Sequence, residues 1–344
     1  MIAAGGTAGH VLPSLAVAEA LRARGVSVSF AGSPDRIEAR LVPEAGYAFD
    51  PFRISGLPRR PGVAQLRAVL LAGRAPLACA RILTQRRPNV VFGGGGYVAG
   101  PMVYAAWRKR IPAALSEADA HLGLANRLAA PFARRVFLAY PVRSGAKYRV
   151  VGRPVPPSEP VAQDEARRRF GLPADERVLL VVGGSLGAQA VNELAIEAWG
   201  AAGPAVLHLC GERYAEELAG RELRSDYRLL PWTEDFGAAL AAADLVVGRS
   251  GGVVWEIAAA GKPAVLVPSP NVTNDHQTKN ARYFEDAGGA VVVPERDLAR
   301  VPEVVAALLA DDGRLAAMGE AMRGAAKPSA ADEIAEELIG LATA

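Results

Sequence analysis

No acidic residue occurs between Asp50 and Glu117, a stretch of 66 residues that contains 11 lysines and arginines. This absence leaves the 344-residue chain unevenly charged, because residues 1–157 carry a net charge of +15 and the remainder carries −12. The net charge of +3 for the whole chain hides this difference. A strongly basic half predicts an anionic partner, which is a nucleic acid, an anionic membrane surface or a phosphorylated substrate.

Other absences exclude whole classes of protein. Two cysteines, Cys79 and Cys210, are too few for a disulfide framework, and residues 1–10 run into a glycine-rich turn instead of a signal peptide. No apolar run approaches the ~18 residues of a membrane span. The four histidines and two cysteines lack metal-ligand spacing, and there is no Asp-x-Asp motif. We therefore expect no metal and no cofactor, and expect arginines and helix N-termini to neutralise a bound diphosphate.

Alternating apolar and helical segments predict an α/β fold of two Rossmann-like domains with a cleft between them. The run 152–160 contains four prolines, which cannot continue a helix or a central strand, so it predicts a linker. We expect an N-terminal domain at 1–152, a linker at 153–160 and a C-terminal domain at 161–327. A helix in 328–344 is expected to pack back on the first domain.

Glycine-rich turns follow predicted strands at Gly5–His10, Gly93–Pro101 and Gly183–Gly187. Glycine lets a backbone approach a phosphate closely, and the helix that follows adds its positive end. None of the three is a strict G-x-G-x-x-G or P-loop motif, so each alone fits a tight strand-to-helix turn equally well. Their occurrence in both halves predicts two phosphorylated ligands.

A fourth turn, Arg249–Glu256, places Ser250, Gly251 and Gly252 where a helix N-terminus would hold a diphosphate. The carboxylate of Glu256 fits two vicinal hydroxyls of a ribose, although a surface glutamate on an amphipathic helix is the alternative. The polar run 274–280 contains Gln277, which fits a sugar hydroxyl. A solvated loop that caps a helix explains that run as well.

Two histidines lie in informative places. His10 ends the first glycine-rich turn, so its imidazole is a candidate general base or a ligand of a phosphate or sugar hydroxyl, with a structural role as the alternative. His208 lies in an apolar strand and is interpreted as a core residue. Pro13 is expected in the first turn of the helix that follows His10.

Apolar residues alternate with arginines in the acid-free stretch, a pattern that fits an interfacial membrane contact. Ordinary amphipathic helices with buried apolar faces are the alternative for any single leucine. Nucleic acid is disfavoured, because aromatic residues are not interleaved with the basic ones. The residues assigned to the membrane-facing surface are Leu66, Arg67, Val69, Leu70, Arg74, Arg81, Trp107, Arg108 and Lys109.

Several motifs, in order along nearly the whole chain, resemble the MurG family of peptidoglycan N-acetylglucosaminyltransferases. They lie at Gly5–His10, Ile54–Leu57, Gly94–Pro101, Val182–Ala188, Arg249–Gly251 and Glu256–Gly261. The resemblance implies a metal-independent, inverting glycosyltransferase of the two-domain GT-B fold. It implies transfer of N-acetylglucosamine from UDP-N-acetylglucosamine to the muramoyl 4-hydroxyl of lipid I, an undecaprenyl-diphosphate lipid, by a peripheral protein at the cytoplasmic face of the bacterial membrane.

The resemblance also implies roles for individual residues. The donor site comprises Thr7, Ala8, Gly9, Ser185, Trp232, Thr233, Arg249, Ser250, Gly251, Gly252, Val253, Val254, Trp255, Glu256 and Gln277. Within it, Glu256 holds the ribose, the Thr233 backbone reads the uracil, and Gln277 binds the sugar. The acceptor site comprises Gly94, Gly95, Gly96, Tyr97, Asn126 and Arg153.

The sequence departs from the family's pattern in three places, one of which is a loop before Glu256 that is one residue shorter. Ser116-Glu117-Ala-Asp119 stands where the family has His-Glu-x-Asn, and Arg153-Pro-Val-Pro156 stands where it has Asn-Pro-Val-Arg. The candidates for the catalytic base are His10, Glu117 and Asp119, of which His10 ranks first. The open alternatives are another UDP-sugar-dependent lipid glycosyltransferase, a UDP-N-acetylglucosamine 2-epimerase and a non-catalytic nucleotide-sugar-binding protein.

Overall fold

Short strands alternate with helices along the chain. The structure is a computed structural model that describes residues 1–56, 62–157, 159–184 and 186–343. The strands are β1 (Ile2–Ala4), β2 (Ser29–Gly32), β3 (Ala48–Pro51), β4 (Val91–Gly95), β5 (Ala113–Glu117), β6 (Arg135–Leu138), β7 (Tyr148–Val150), β8 (Val178–Val182), β9 (Ala205–Leu209), β10 (Tyr227–Leu230), β11 (Leu245–Gly248), β12 (Ala264–Leu266) and β13 (Ala290–Val292).

Helices connect these strands. They are α1 (Ala8–Ala23), α2 (Glu38–Glu44), α3 (Val63–Arg86), α4 (Ala99–Arg108), α5 (Leu124–Ala129), α6 (Gln163–Phe170), α7 (Gln189–Trp199), α8 (Glu212–Leu218), α9 (Phe236–Ala242), α10 (Val253–Ala259), α11 (His276–Asp286), α12 (Val301–Leu309), α13 (Asp312–Ala325) and α14 (Ala330–Thr343). Short 3₁₀ turns lie at Ala130–Phe132, Thr273–Asp275 and Glu295–Arg300.

The strands form two sheets, and every pairing among the described strands is parallel. The first sheet has the order β3-β2-β1-β4-β5-β6-β7, and the second has the order β10-β9-β8-β11-β12-β13. Strands covered on both faces read as continuous apolar runs, as Val178–Val182 does. The predicted α/β fold with two Rossmann-like halves is confirmed.

The strand order reverses beside the first strand of each sheet. In the first sheet β2 and β4 flank β1, and in the second sheet β9 and β11 flank β8. Open α/β sheets bind ligands beyond the carboxyl ends of their strands at such a switch point. The four turns singled out from the sequence follow β1, β4, β8 and β11, so the fold gathers two of them at each switch point.

The chain divides into two compact units, which we call unit 1 (Met1–Pro156 with Lys327–Ala344) and unit 2 (Pro157–Ala326). Helix α14 packs on α1 within unit 1 and buries Ile334, Ala335 and Leu338 in the same cluster as Val17 and Leu21. Unit 1 is therefore made of two separate parts of the chain, and its last helix closes one face of the first sheet.

Acidic residues of α14 pair with arginines of unit 1. Glu337 pairs with Arg135 and Arg149, and Asp332 pairs with Arg24. With the segment 327–344, which adds one lysine and four acids, unit 1 contains 23 basic and 11 acidic residues. Unit 2 contains 16 basic and 25 acidic residues. The net charges of the folded units are therefore +12 and −9.

Candidate functional site

A buried carboxyl group holds the first glycine-rich turn in place. Glu38, in the first turn of α2, is fully buried, and its two oxygens accept hydrogen bonds from the Gly6 and Ser33 N–H groups at 3.0 Å each. Position 5 requires glycine, because a Cβ on Gly5 would lie 2.1 Å from Glu38 Oε1. One side chain therefore joins the turns that follow β1 and β2.

The turn after β4 packs directly on the turn after β1. A Cβ on Gly96 would lie 2.1 Å from the Gly5 carbonyl oxygen, and a Cβ on Gly95 would lie 2.5 Å from His10 Cδ2. Both glycines have left-handed backbone, with φ of +76° at Gly96 and +121° at Gly95. The surface beside His10 is therefore formed by the backbone of these glycines, without side chains.

The imidazole of His10 is half-buried where these turns meet. Its Nδ1 lies 3.2 Å from Thr7 Oγ1, and the backbone of Gly95 and Gly96 packs beside the ring. Burial lowers the pKa of His10, the positive charge of Arg153 lowers it further, and Asp119 opposes both effects. A histidine with a lowered pKa is neutral at physiological pH, which is the form that accepts a proton.

Arg153 donates a hydrogen bond to a backbone carbonyl of α1 that lacks its helical donor because of Pro13. Helix α1 begins at Ala8, so Pro13 lies inside the helix, which corrects the expectation that it occupies the first turn. Because proline has no N–H, the Gly9 carbonyl lacks its usual partner four residues on, and Arg153 Nη2 donates to that carbonyl instead. Arg153 is buried, so its charge is fixed beside the start of α1. Gly94 lies against the same helix.

Glu117 holds its own loop together. Its Oε2 accepts hydrogen bonds from the Gly123 N–H at 2.8 Å and Asn126 Nδ2 at 2.9 Å, and its Oε1 accepts from the Asp119 N–H at 3.3 Å. Burial raises the pKa of Glu117, and the bonds from Asn126 and Gly123 oppose that rise. Because both oxygens are engaged, Glu117 fits a structural role better than that of a base. Asn126 is buried and also donates to the Ser116 carbonyl.

Tyr97 covers the first turn with its ring. A Cβ on Gly6 would lie 3.0 Å from this ring, and a Cβ on Gly56 would lie 3.4 Å from it. The buried Tyr97 hydroxyl has no hydrogen-bond partner among the described residues. An unsatisfied buried hydroxyl costs about 1–3 kcal/mol, so this group is a candidate contact for a bound ligand.

In unit 2, the turn after β8 interlocks with the turn after β9. A Cβ on Gly187 would lie 2.1 Å from the Cys210 carbonyl oxygen, and a Cβ on Gly211 would lie 2.3 Å from the Gly187 nitrogen. A Cβ on Gly183 would lie 2.4 Å from another backbone nitrogen. These positions accept only glycine without a shift of the backbone. Ser185 lies outside the described residues.

A buried polar network supports that turn. Asn192 Nδ2 donates to the Cys210 carbonyl at 2.9 Å, so Asn192 Oδ1 accepts from His208 Nε2 at 3.0 Å. His208 Nδ1 is then the acceptor of the Tyr227 hydroxyl at 2.8 Å. Burial lowers the pKa of His208 to about 4 and keeps it neutral. The expectation that His208 is a core residue is confirmed.

Arg249 ties together three strand ends of the second sheet. It directly follows β11, its Nη1 donates to the Val267 carbonyl after β12 at 3.1 Å, and its guanidinium pairs with Glu295 after β13. Arg249 is buried. It therefore holds these strand ends together from within the protein, and its guanidinium is already engaged.

The structure brings Ser250, Gly251 and Gln277 together. Ser250 Oγ donates to the Gln277 carbonyl at 2.8 Å, and Asn280 Nδ2 donates to the Ser250 carbonyl at 3.1 Å. Gln277 Oε1 accepts from the Ser269 N–H at 2.8 Å, while Gln277 Nε2 lies 3.8 Å from the place of a Cβ on Gly251. These bonds fix the turn after β11 against the start of α11.

Helix α10 follows that turn, with Gly252 at its N-cap and Val253 to Glu256 in its first turn. Val254 and Trp255 are buried, and the Trp255 ring packs 5.3 Å from the Phe284 ring. These two are core residues, so only their backbone can make the donor contacts predicted for them. The outward N–H groups at the helix start belong to residues 251–253. Glu256 is half-buried.

The segment after β10 carries Trp232 and Thr233. Trp232 is half-exposed, with 49% of its surface accessible. Thr233 Oγ1 accepts from the Asp235 N–H at 3.1 Å, and Asp235 caps α9 by accepting from the Ala238 N–H at 2.9 Å. This cap fixes the backbone that is predicted to read uracil.

Two consecutive residues before α11 have left-handed backbone. Asn274 has φ of +55° and Asp275 has φ of +50°, at a cost of about 1–3 kcal/mol each. Lys279 Nζ donates to the Asn274 carbonyl at 3.0 Å, and Thr278 Oγ1 donates to Asp275 Oδ1 at 2.7 Å. The Asp275 side chain does not cap α11, in contrast to the capping interpretation. Such strain clusters at ligand sites.

One exposed face of unit 1 combines leucines and arginines. Leu70, Arg74, Leu77 and Arg81 recur at the spacing of one face of α3, and Leu70 and Leu77 are 58% and 66% exposed. Trp107, Arg108 and Lys109 lie exposed at the end of α4, which packs on α3. We call these seven residues the α3–α4 surface. The side chains of Leu66, Arg67 and Val69 lie outside the described part of the structure.

Helix α5 extends the apolar character of that region. Leu124 and Leu128 are 61% and 66% exposed on α5, which packs on α4. The Trp107 ring lies 5.0 Å from the Phe132 ring, just after α5. Neither leucine is predicted from the sequence, because a pair spaced four apart in a six-residue helix has no distinctive pattern.

Within the described ranges, no helix is both long and apolar enough to cross a membrane. In the same ranges, no group of three or more histidine, cysteine, aspartate or glutamate side chains is placed to hold a metal ion.

Two parallel-sheet domains with glycine turns at their switch points are the architecture of the GT-B class of glycosyltransferases. The model of the glycosyltransferase family 28 N-terminal domain matches residues 1–138, and that of the glycosyltransferase family 28 C-terminal domain matches residues 178–334. These ranges cover most of the chain, which therefore belongs to glycosyltransferase family 28.

The relatives place it within that family. The chain is 42% identical to the UDP-N-acetylglucosamine–N-acetylmuramyl-(pentapeptide) pyrophosphoryl-undecaprenol N-acetylglucosamine transferase of Salinibacter ruber, over 99% of this chain and 96% of that protein. It is 43% identical to the protein of the same name from Acidithiobacillus ferrooxidans, over 98% and 96%. The crystal structure of Acinetobacter baumannii MurG has a TM-score of 0.79 and 29% identity, covering 99% of this chain and 98% of that one. The resemblance to the MurG family is confirmed.

Three side chains that build the site were not singled out from the sequence. Glu38 and Asn192 bind backbone groups of the glycine turns, and Asn280 binds the Ser250 carbonyl. Asn280 belongs to a polar run that was noticed, so that run was the available signal. Glu38 and Asn192 lie in ordinary helical patterns, where a polar residue is expected to face solvent.

Proposed function

We propose that this protein transfers N-acetylglucosamine from UDP-N-acetylglucosamine to the muramoyl 4-hydroxyl of lipid I, giving lipid II for peptidoglycan synthesis. The observation that carries the proposal is the likeness, over nearly the full length of both domains, to transferases named for these substrates. The paired glycine turns at both switch points support it, since both substrates contain a diphosphate.

Unit 2 is assigned the donor. The outward N–H groups of 251–253 and the turn 183–187 suit the diphosphate. Glu256 is assigned the ribose, and the backbone of Thr233 the uracil. Gln277 Nε2 lies near Gly251 and is assigned the sugar, because its Oε1 already accepts the Ser269 N–H.

Unit 1 is assigned the acceptor and the base. The inverting step is one displacement: the base takes the proton of the muramoyl 4-hydroxyl, its oxygen bonds to the anomeric carbon, and UDP leaves with the electrons of the broken bond. His10 suits the base because its lowered pKa keeps it neutral. Glu117 is engaged by three N–H donors, and Asp119 lies close enough to affect the charge of His10.

Transfer to lipid I tests the proposal directly. Purified protein with labelled UDP-N-acetylglucosamine and lipid I is expected to form labelled lipid II, and an excess of EDTA is expected to leave the rate unchanged because no metal takes part. An absence of product with lipid I would contradict the substrate assignment. Product without EDTA but not with it would contradict metal independence alone, and release of free sugar epimer without acceptor would favour the epimerase.

We further propose that the protein is peripheral at the cytoplasmic face of the bacterial membrane, and that the α3–α4 surface contacts anionic lipid. The support is the combination, on two helices that pack on each other, of exposed leucines, a tryptophan and basic side chains. Among the described basic residues of the acid-free stretch, Arg86 forms an ion pair, and its partner is Asp50, which lies just before the stretch. The charges of the α3–α4 surface are thus available to lipid headgroups.

Replacing Arg74 and Arg81 by glutamine is expected to weaken binding to anionic vesicles about 30-fold. Each basic residue near an anionic surface contributes about 1 kcal/mol, so two contribute about 2 kcal/mol. Sedimentation with phosphatidylserine-containing vesicles at low salt measures the effect. Replacement of the exposed Arg300 and Arg314 of unit 2 is the matched control, and equal losses in both pairs would contradict the assignment.

A further inference from the structure

We propose that Arg153 is a positioning residue for His10, because it supplies the hydrogen bond that the Gly9 carbonyl would otherwise receive from residue 13 of the same helix. This inference rests on the proposed function, in which His10 takes the proton of the acceptor hydroxyl. It gives Arg153 a role in addition to the predicted contact with the acceptor, and that role passes through the backbone of α1.

The carbonyl group in question lies one turn before a proline. Pro13 is buried inside α1, at a position where an ordinary residue would donate its N–H to the carbonyl of Gly9. Proline has no N–H, and its ring occupies the space that this carbonyl would take in a straight helix. The Gly9 carbonyl therefore needs a donor from outside the regular hydrogen bonds of α1.

Arg153 is that donor. Its Nη2 donates to the Gly9 carbonyl, and the guanidinium lies directly against the helix, since a Cβ on Gly9 would lie 3.4 Å from Nη2. The residue is only 7% exposed, so its guanidinium has little freedom to leave this position. A hydrogen bond from a charged donor is about twice as strong as one between neutral groups, which compensates for the bond that the proline removes.

The same peptide group leads to the imidazole. The bond from Arg153 fixes the carbonyl of the peptide that joins Gly9 to His10. The N–H of this peptide donates to the Thr7 carbonyl at 3.1 Å. A peptide group is planar and includes the Cα that follows it, so these two bonds determine where the Cα of His10 lies. Ser14 Oγ donates to the His10 carbonyl at 2.8 Å and fixes the next peptide.

The imidazole depends on this backbone because side chains give it little support. Its Nδ1 lies 3.2 Å from Thr7 Oγ1, and the surface at Gly95 and Gly96 beside the ring is backbone. A general base has to lie within about 2.6–3.2 Å of the atom whose proton it takes. A displacement of about 1 Å is enough to lower a rate about 10²-fold. The start of α1 therefore has to be held in place for His10 to act.

Arg153→Met tests the proposal, because it keeps the length of the side chain and removes every donor. At about pH 8, where His10 is neutral in each variant, we expect kcat for lipid I to fall about tenfold, as a shift smaller than 1 Å would produce. The KM for UDP-N-acetylglucosamine should stay within about twofold, because the substitution leaves the donor turns of unit 2 unchanged. Thermal unfolding, measured beside the kinetics, shows whether each variant is folded.

A second substitution in the same helix should restore the rate. Pro13→Ala gives residue 13 an N–H that donates to the Gly9 carbonyl, so in the Arg153→Met background we expect kcat within about threefold of the wild type. Pro13→Ala alone should change kcat by less than about twofold, since the carbonyl then has two donors. Pro76→Ala, which removes a proline from the interior of α3, is the matched control and should restore nothing.

The second substitution also separates positioning from the predicted contact with the acceptor. If Arg153 only bound the lipid diphosphate, its loss would raise the KM for lipid I, and Pro13→Ala would not lower that KM again. An unchanged kcat in Arg153→Met, a double variant no faster than Arg153→Met, or equal recovery with Pro76→Ala would each overturn the proposal. If Arg153→Met does not fold, Arg153→Asn, which introduces the residue of the family's pattern at this position, is judged by the same outcomes.

Failure of this inference is distinguishable from failure of the proposed function. Wild-type protein that makes no lipid II refutes the function, and activity that survives His10→Ala refutes the base. An active wild type, an inactive His10→Ala variant and a loss in Arg153→Met that Pro13→Ala does not restore refute the role of Arg153 alone.

Thermal unfolding tests the shared carbonyl without any assay of activity. Because Arg153 and residue 13 would serve the same carbonyl, Pro13→Ala should raise Tm more in the Arg153→Met background than in the wild-type background. Equal gains in the two backgrounds would show that the two positions are independent and would overturn the proposal.

Discussion

His10→Ala is expected to lower kcat for transfer to lipid I by about 10²-fold or more, because base catalysis contributes about 10²–10⁴-fold. The half-buried imidazole lies against the backbone of Gly95 and Gly96, so alanine removes the base without creating a new contact. Binding of UDP to unit 2 should persist in this variant. Radiolabelled transfer under saturating substrates measures kcat, and calorimetric titration with UDP measures binding.

His10→Gln distinguishes the base from a structural support. Glutamine keeps a polar side chain with hydrogen-bond donors but cannot take a proton, so we expect it to be as inactive as alanine. The wild-type kcat/KM should fall with acidity only below the ordinary histidine pKa of about 6.5, because burial and Arg153 lower the pKa of His10. Near-wild-type turnover in His10→Gln would remove His10 as the base.

Gly187→Ala is expected to lower kcat/KM for UDP-N-acetylglucosamine by about 10²-fold. The new Cβ would lie 2.1 Å from the Cys210 carbonyl oxygen, which is backbone and is held by Asn192, so the turn after β8 has to move. A displacement of about 1 Å in a binding group is enough for a loss of this size. Steady-state kinetics with the donor varied, at fixed lipid I, measures the loss.

Gly184→Ala provides the matched comparison in the same turn. Gly184 and Gly187 both have left-handed backbone, with φ of +87° and +73°, but a Cβ on Gly184 would meet no described atom within 4 Å. Both variants should therefore lose stability from backbone strain, by about 1–2 kcal/mol. Only Gly187→Ala carries the collision as well. Equal donor kinetics in the two variants would show that the collision does not shift the turn.

The buried parts of both sheets were predictable because each central strand is a run of apolar residues bounded by turns. Val178–Val182 and Leu245–Gly248 are two such runs. The strands β3, β7 and β10 are harder to predict, because they lie at sheet edges and have mixed burial. An edge strand is solvated on one side, so the apolar run that announces a central strand is missing.

The glycine turns of the site were predictable for a similar reason, since each is a local pattern next to a strand. The groups that fix those turns were not. Glu38 reaches Gly6 across 32 positions, and Arg153 reaches Gly9 across 144. Such contacts depend on how the strands are ordered in the sheet. The available sequence signal is at most a proline such as Pro13, which leaves the carbonyl four residues before it without its helical partner.

The composition of unit 1 from two separate parts of the chain sets an order of folding. Residues 157–326 form unit 2 without interruption, whereas α14 reaches unit 1 only after those 170 residues have been made. At about 5–20 residues per second, the ribosome needs roughly 10–30 s for that interval. During it the apolar face of α1, with Val17 and Leu21, has no α14 to cover it. The second domain therefore completes before the first, and a nascent chain that stalls in between is exposed to aggregation.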